Sequence, residues 1–387
     1  MIESSNTSKM SLTVKHLNSD ASFLLTFQPL LDFPPSPGKV ENSFTILVDP
    51  WLSGPSKIWH TKFSISRQKS EPCISSLKEL PEPDIVIISQ DKSDHCHQQT
   101  LTQLPRSGGK TMILAEPAAA KLIRGWKYFD PEKIVTLPKW GDPRLRGASL
   151  VHRIPIPSLT PQGSPGEVTI SFIAQKADIT RLHSAVGITY RPPSNSHPFQ
   201  TRPLTPPDSP QSFQSTFSTS ASNQTLSVIY SPHGCNYKTL APYITSHLVA
   251  EAALPLTALL HCFDRVTNAW YLGGNICTGF PGGLEIAQNL CARAWISAHD
   301  GDKDTKGLAT TKIVIKKYGR EEVESIVSPR SEKFPHKRTG TEAVVLKSGE
   351  EIRLSRAMEF GPGNDDNDEH ERFMNNGPRY TNMAAVC

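Results

Sequence analysis

Asp94, His95 and His97 crowd into the short run Ser93-Asp94-His95-Cys96-His97. Imidazole nitrogens and carboxylate oxygens packed this closely are the donors that hold a divalent metal or move protons. Directly upstream, Ile85-Val86-Ile87-Ile88 is the continuous apolar run of a strand buried on both faces. A buried strand thus delivers titratable groups to its carboxyl end, where open α/β sheets usually bind ligands. Other groups stand just beyond apolar runs in the same way: Asp49 after residues 44–48, His233 after 226–230, His261 and Asp264 after 256–260, and His299 after 294–297.

Several of these residues have plainer readings. His97, His261 and Asp264 follow predicted strands and are candidates to line a pocket, yet a single polar residue at a loop entry more often serves a structural hydrogen bond. Cys96, flanked by two histidines, would need a depressed pKa to act as a nucleophile. Asp300, Asp302 and Asp304 have the spacing of a calcium loop, but Thr305 stands where that loop needs glycine and no glutamate closes it, so a solvated turn is expected. Gly273-Gly274 and Gly282-Gly283 lack the spacing of a dinucleotide fingerprint and read as turns and a helix start.

The elements that would position the candidates alternate in type. Residues 12–16 and 22–27 read as strands joined through Asn18-Ser19-Asp20, and 44–48 as a third. Residues 53–80 show no clear periodicity and read as a long loop of the kind that forms lids. A helix at 98–104, a strand at 111–115, a helix at 118–128 and a strand at 133–137 give the alternation of a layered α/β architecture. Strands follow at 150–156, 168–174 and 185–190. Residues 192–224 are rich in Ser, Thr, Pro and Gln and read as a disordered insertion, with Thr205-Pro206 and Ser209-Pro210 as nominal proline-directed phosphorylation sites in what is otherwise plain linker. Beyond it come a strand at 226–230, a helix at 237–250, strands at 256–260 and 294–297 around a helix at 283–294, and a hairpin at 344–354. The domain reading is a disordered tail at 1–10, one domain at 11–356 carrying the insertion, and an acidic disordered tail at 357–387.

Composition narrows the class. Of the 387 residues 37% are hydrophobic and 20% charged, and no run approaches the roughly 20 apolar residues that span a bilayer. With no apolar segment near Met1, the expected compartment is the cytoplasm. The 7 cysteines are scattered without a CxxC pair, as reduced thiols would be. A net charge of +4 without a long basic block does not favour nucleic acid as partner, which leaves a small-molecule substrate or ligand.

The order of landmarks resembles the metallo-β-lactamase superfamily, and within it the lactonase-like and phospholipase-D-like branch. The resemblance rests on Ile46-Leu47-Val48-Asp49-Pro50-Trp51-Leu52, on Ser93-Asp94-His95 and on Trp295-Ile296-Ser297-Ala298-His299, and covers residues 12–307 without the insertion. It implies an α/β (α+β) fold, the four-layer αββα sandwich, and a His-x-His-x-Asp-His signature that binds metal. Here that signature falls on Gln90, Asp91, Lys92, Ser93, Asp94 and His95, so its second pair is kept and its first is lost. No imidazole ends the strand at 150–156, and Pro232 or His233 stands where a bridging aspartate is expected. The resemblance therefore implies a degenerate site in which Asp94, His95 and His299, with His233 as a fourth ligand unable to bridge, hold one zinc, manganese or iron.

Two functions follow. In the first, a hydrolase of an ester, lactone or phosphodiester works through that single metal, with Asp94 and Lys92 catalytic and Lys92 replacing the other metal as the electrophile. In the second, no metal binds; Lys92 pairs with Asp91 or Asp94, and the pocket, lined further by Gln90, His97, His261, Asp264 and Asp49, serves a catalytically inactive module that binds a ligand or partner.

Overall fold

The computed structural model describes residues 10–29, 43–58, 60–146, 150–158, 161–193, 225–329, 340–355 and 379–381. The tail at 1–9, most of the 192–224 insertion with its Ser/Thr-Pro dipeptides, and the C-terminal tail apart from strand Arg379–Thr381 lie outside the described residues.

Two sheets face each other. In the first, an 8-stranded sheet, strand Met10–His16 pairs antiparallel with Phe23–Pro29 and Glu351–Ser355, and the order continues through Phe44–Val48, Ile85–Ile88, Met112–Ala115 and Ile134–Thr136. In the second, a 7-stranded sheet, Glu342–Val344, Ala294–Ser297, Ala258–His261 and Leu226–Ser231 run parallel and lead into the antiparallel set Ser184–Arg191, Gly166–Ala174 and His152–Ile156. Leu12, Val14, Phe23 and Leu25 of one sheet pack against Ile188, Val228, Leu260 and Ile296 of the other.

Alternation of side chains explains why the central strands are apolar throughout. In Ile85–Ile88, Ile85 and Ile87 enter the core between the sheets, while Val86 and Ile88 pack outward with Ile113, Ala119 and Ile123, the last two from helix Pro117–Gly125. On the other side Ile229, Leu259 and Trp295 meet Leu240 and Tyr243 of helix Tyr237–Tyr243 and Ile286 and Ala287 of helix Gly279–Asn289. The layers are helix, sheet, sheet, helix, the expected αββα sandwich.

Four local expectations change. Residues 53–80 contain strands Ser56–Ile58 and Ser64–Gln68, which pair with each other, and Ser64–Gln68 pairs on its other side with Lys303–Lys306 in a small separate sheet. The expected solvated turn around Asp302 and Asp304 is thus partly a strand, held by pairing to a segment distant in sequence. The hairpin expected at 344–354 does not form, because Glu342–Val344 joins the second sheet and Glu351–Ser355 the first. Cys73, Cys96, Cys235, Cys262 and Cys277 are free thiols as expected, whereas Cys291 is disulfide-bonded.

Candidate metal centre

The carboxyl ends of four strands converge. Strand Phe44–Val48 delivers Asp49, Ile85–Ile88 leads to Asp94 and His95, Leu226–Ser231 to His233, and Ala294–Ser297 to His299. Asp49 and His299 both adopt positive φ, 42° and 67°, a conformation costly for non-glycine residues and often found where a site fixes a side chain. His95, His233 and His299 present ring nitrogens that all lie within 4.8 Å of one another.

Hydrogen bonds fix two of the rings. His95 Nδ1 lies 2.8 Å from Asp49 Oδ2 and His233 Nδ1 lies 3.1 Å from the Ile276 carbonyl, so in both rings Nδ1 carries the proton and donates it. Each Nε2 then presents a lone pair, and the two Nε2 atoms are only 3.1 Å apart. Two lone pairs at that distance repel unless a proton or a metal lies between them. Burial lowers the pKa of His95, but the carboxylates of Asp49 and Asp94 outweigh it and the net shift is upward. His233 is pushed well below the ordinary range by burial and by His299, His95 and Lys303. A proton on His95 Nε2 would relieve that repulsion in the absence of metal, and a metal between the two atoms would take its place.

Asp49 is the anchor behind His95. Fully buried, it accepts from Ser89 N at 2.7 Å, from Tyr230 Oη at 2.7 Å and from the Ser89 hydroxyl besides His95. Such a carboxylate fixes ring orientation and raises the basicity of the opposite nitrogen, as partners behind metal-bound histidines do.

On the other side of the cluster two residues join that the sequence did not single out. Asp20, from the turn after strand Met10–His16, places Oδ2 3.3 Å from His299 Nδ1 and 2.9 Å from Lys303 Nζ. Lys303 Nζ also lies 3.8 Å from Asp94 Oδ2 and 3.3 Å from His299 Nδ1. Both Asp20 oxygens and Asp94 Oδ1 are buried without a well-aligned hydrogen bond among the described residues. Burial pushes both carboxyls up, but His299 and Lys303 hold Asp20 far below its usual range and His95, Lys303 and His299 hold Asp94 below its own. Buried, ionised and incompletely bonded oxygens beside three imidazoles are a donor set suited to a cation. Asp20 looks like an ordinary turn residue in the sequence, and only the fold brings Lys303 to it.

Residues 45–185 match the Beta-lactamase superfamily domain. The structure of Igni18, a novel metallo hydrolase from the hyperthermophilic archaeon Ignicoccus hospitalis KIN4/I, is similar at a TM-score of 0.44 and 11% identity, over 89% of this chain and 98% of that one. No curated protein matches the chain.

Of the residues the superfamily resemblance brought forward, His95, His233 and His299 meet, whereas Asp94, expected as a ligand, stays outside that group and places Oδ2 3.8 Å from Lys303 Nζ. Lys92 does not join them; its ammonium pairs with Asp91, and the ammonium in the cluster is that of Lys303. Gln90 donates from Nε2 to the Leu182 carbonyl at 2.8 Å. His97 hydrogen-bonds Thr100 Oγ1 at 2.9 Å, with burial lowering its pKa to about 4. His261 is held by the Cys262 carbonyl and packs edge-on against Trp295. Asp264 accepts from Tyr318 N, while Asp300 ties together the backbone N–H groups of Phe263 and Asp264. Burial and neighbouring carboxylates raise the Cys96 thiol well above its usual pKa, opposite to what a nucleophile needs.

Proposed function

We propose that the chain is a metal-dependent hydrolase of an ester, lactone or phosphodiester, with one divalent metal held by His95, His233 and His299. The observation that carries this reading is the facing pair of Nε2 atoms 3.1 Å apart, each made a lone-pair donor by the hydrogen bond behind it. A bound zinc, manganese or iron would supply Lewis acidity and a water acidified to near neutrality. The protein's own groups divide the remaining work. Asp49, Ser89 and Tyr230 hold His95 in one orientation. Asp94, its Oδ1 without a hydrogen-bond partner among the described residues, orients the attacking water and takes its proton. The ammonium that carries developing negative charge is that of Lys303 rather than Lys92.

Elemental analysis of protein purified without chelators tests the reading, together with hydrolysis of a p-nitrophenyl ester, a lactone and bis(p-nitrophenyl) phosphate. About one equivalent of metal and turnover of at least one substrate, both lost in His233→Ala, are expected. A fully folded, metal-free and inactive protein overturns the reading in favour of a ligand- or partner-binding module.

A further inference from the structure

Lys303 sits where a lysine is unexpected. Its ammonium lies among two carboxylates and an imidazole, 2.9 Å from Asp20 Oδ2, 3.8 Å from Asp94 Oδ2, and 3.3 and 3.5 Å from the two nitrogens of His299. Its side chain is only 14% exposed and lies 5.8 Å from the centre of the Trp51 ring. Removing Lys303 would leave, among these groups, two buried carboxylates and an imidazole, with three oxygens lacking hydrogen bonds. The carboxylate oxygens are the hard donors a divalent cation takes.

We propose that Lys303 is a tethered cation: its Nζ fills a cation position made by the carboxylates of Asp20 and Asp94 beside His299 and the histidine cluster, and so limits the chain to one metal. The proposal rests on the metal-binding reading above. Pairing sets the position, because strand Lys303–Lys306 is antiparallel to Ser64–Gln68 with Lys303 opposite Gln68, while Gln68 Nε2 donates to the Trp51 carbonyl. The small sheet thus fixes the lysine to the wall that also carries Trp51. An ammonium there does part of what a divalent ion would, since it neutralises carboxylate charge and donates hydrogen bonds, but it cannot acidify a water to the same degree.

The test is stoichiometry rather than activity. Chelator-stripped full-length protein is titrated with zinc by calorimetry, and the bound metal is checked by elemental analysis. The wild type should saturate at about one equivalent, Lys303→Ala at about two, and Lys303→Arg, which keeps the charge, at about one. Two equivalents in the wild type, or one in a folded Lys303→Ala protein, overturns the tethered-cation proposal while leaving the histidine site intact. No metal in the wild type overturns the metal-binding reading itself; a single equivalent gained by Lys303→Ala in that case would still support the lysine's role. If Lys303→Ala does not fold, Lys303→Met, which keeps the alkyl chain against Trp51 and removes the charge, takes its place with the same expectation.

Discussion

Asp49→Asn changes almost no volume and removes one charge from behind His95. The carboxylate accepts from four donors: Oδ2 from His95 Nδ1, Tyr230 Oη and the Ser89 hydroxyl, and Oδ1 from Ser89 N. An amide must put its NH2 at one of these positions. The cheaper choice is toward Ser89 N, which leaves two donors facing each other and costs about 1–3 kcal/mol for an unmet buried donor. The three remaining bonds lose their charge assistance, at about 1 kcal/mol each. The expected loss is about 4–6 kcal/mol in the metal-free protein, read from the urea unfolding midpoint. His95 also loses its orienting anion, so zinc affinity should fall by about tenfold to a hundredfold, measured by competition with a chelating dye. A variant within about 1 kcal/mol of wild type that binds zinc with unchanged affinity would refute the role given to Asp49.

Gly234, next to His233, has φ +77°, and a Cβ there would lie 1.8 Å from Thr278 Oγ1 and 2.7 Å from His261 Nε2. Gly234→Ala should cost about 2–5 kcal/mol from overpacking and left-handed strain together, and should weaken zinc binding by displacing His233; thermal unfolding and zinc titration check both. Acidification should destabilise the metal-free protein. Burial lowers the pKa of His16, of His247 and of His97, the last to about 4, so as pH falls below about 6.5 the unfolded chain takes up protons that the folded chain resists. His95, whose pKa is raised, works the other way, its contribution being lost as pH rises. Each lowered histidine can add at most about 1.4 kcal/mol per pH unit, and the His97 effect levels off below about pH 4. Urea midpoints across that range should fall with pH, and His247→Gln, remote from the histidine cluster, should make the slope shallower.

How much of this was legible in the sequence differs between the sheets and the site's far wall. Ile85–Ile88 reads as a strand buried on both faces because every position has a packing partner, and it is one. Asp94, His95, His233 and His299 were legible because each follows an apolar strand, and strand ends are fixed by local pattern. Asp49 was visible only as a pocket residue, since nothing local shows that four donors converge on it. Asp20 and Lys303 were not visible, because the first looks like a turn residue and the second is placed by pairing between segments more than 200 residues apart. The supposed hairpin at 344–354 failed for a related reason. Two short alternating strands around a turn at Gly349 look local, but each finds its partner in a different sheet.

The central claim is that His95, His233 and His299 together hold a metal. Elemental analysis of the purified wild type beside His233→Ala tests it most directly, with circular dichroism confirming that both are folded. About one equivalent of zinc, manganese or iron is expected in the wild type and a large loss in the variant. Folded wild type without metal, unable to take up zinc on titration, would contradict it.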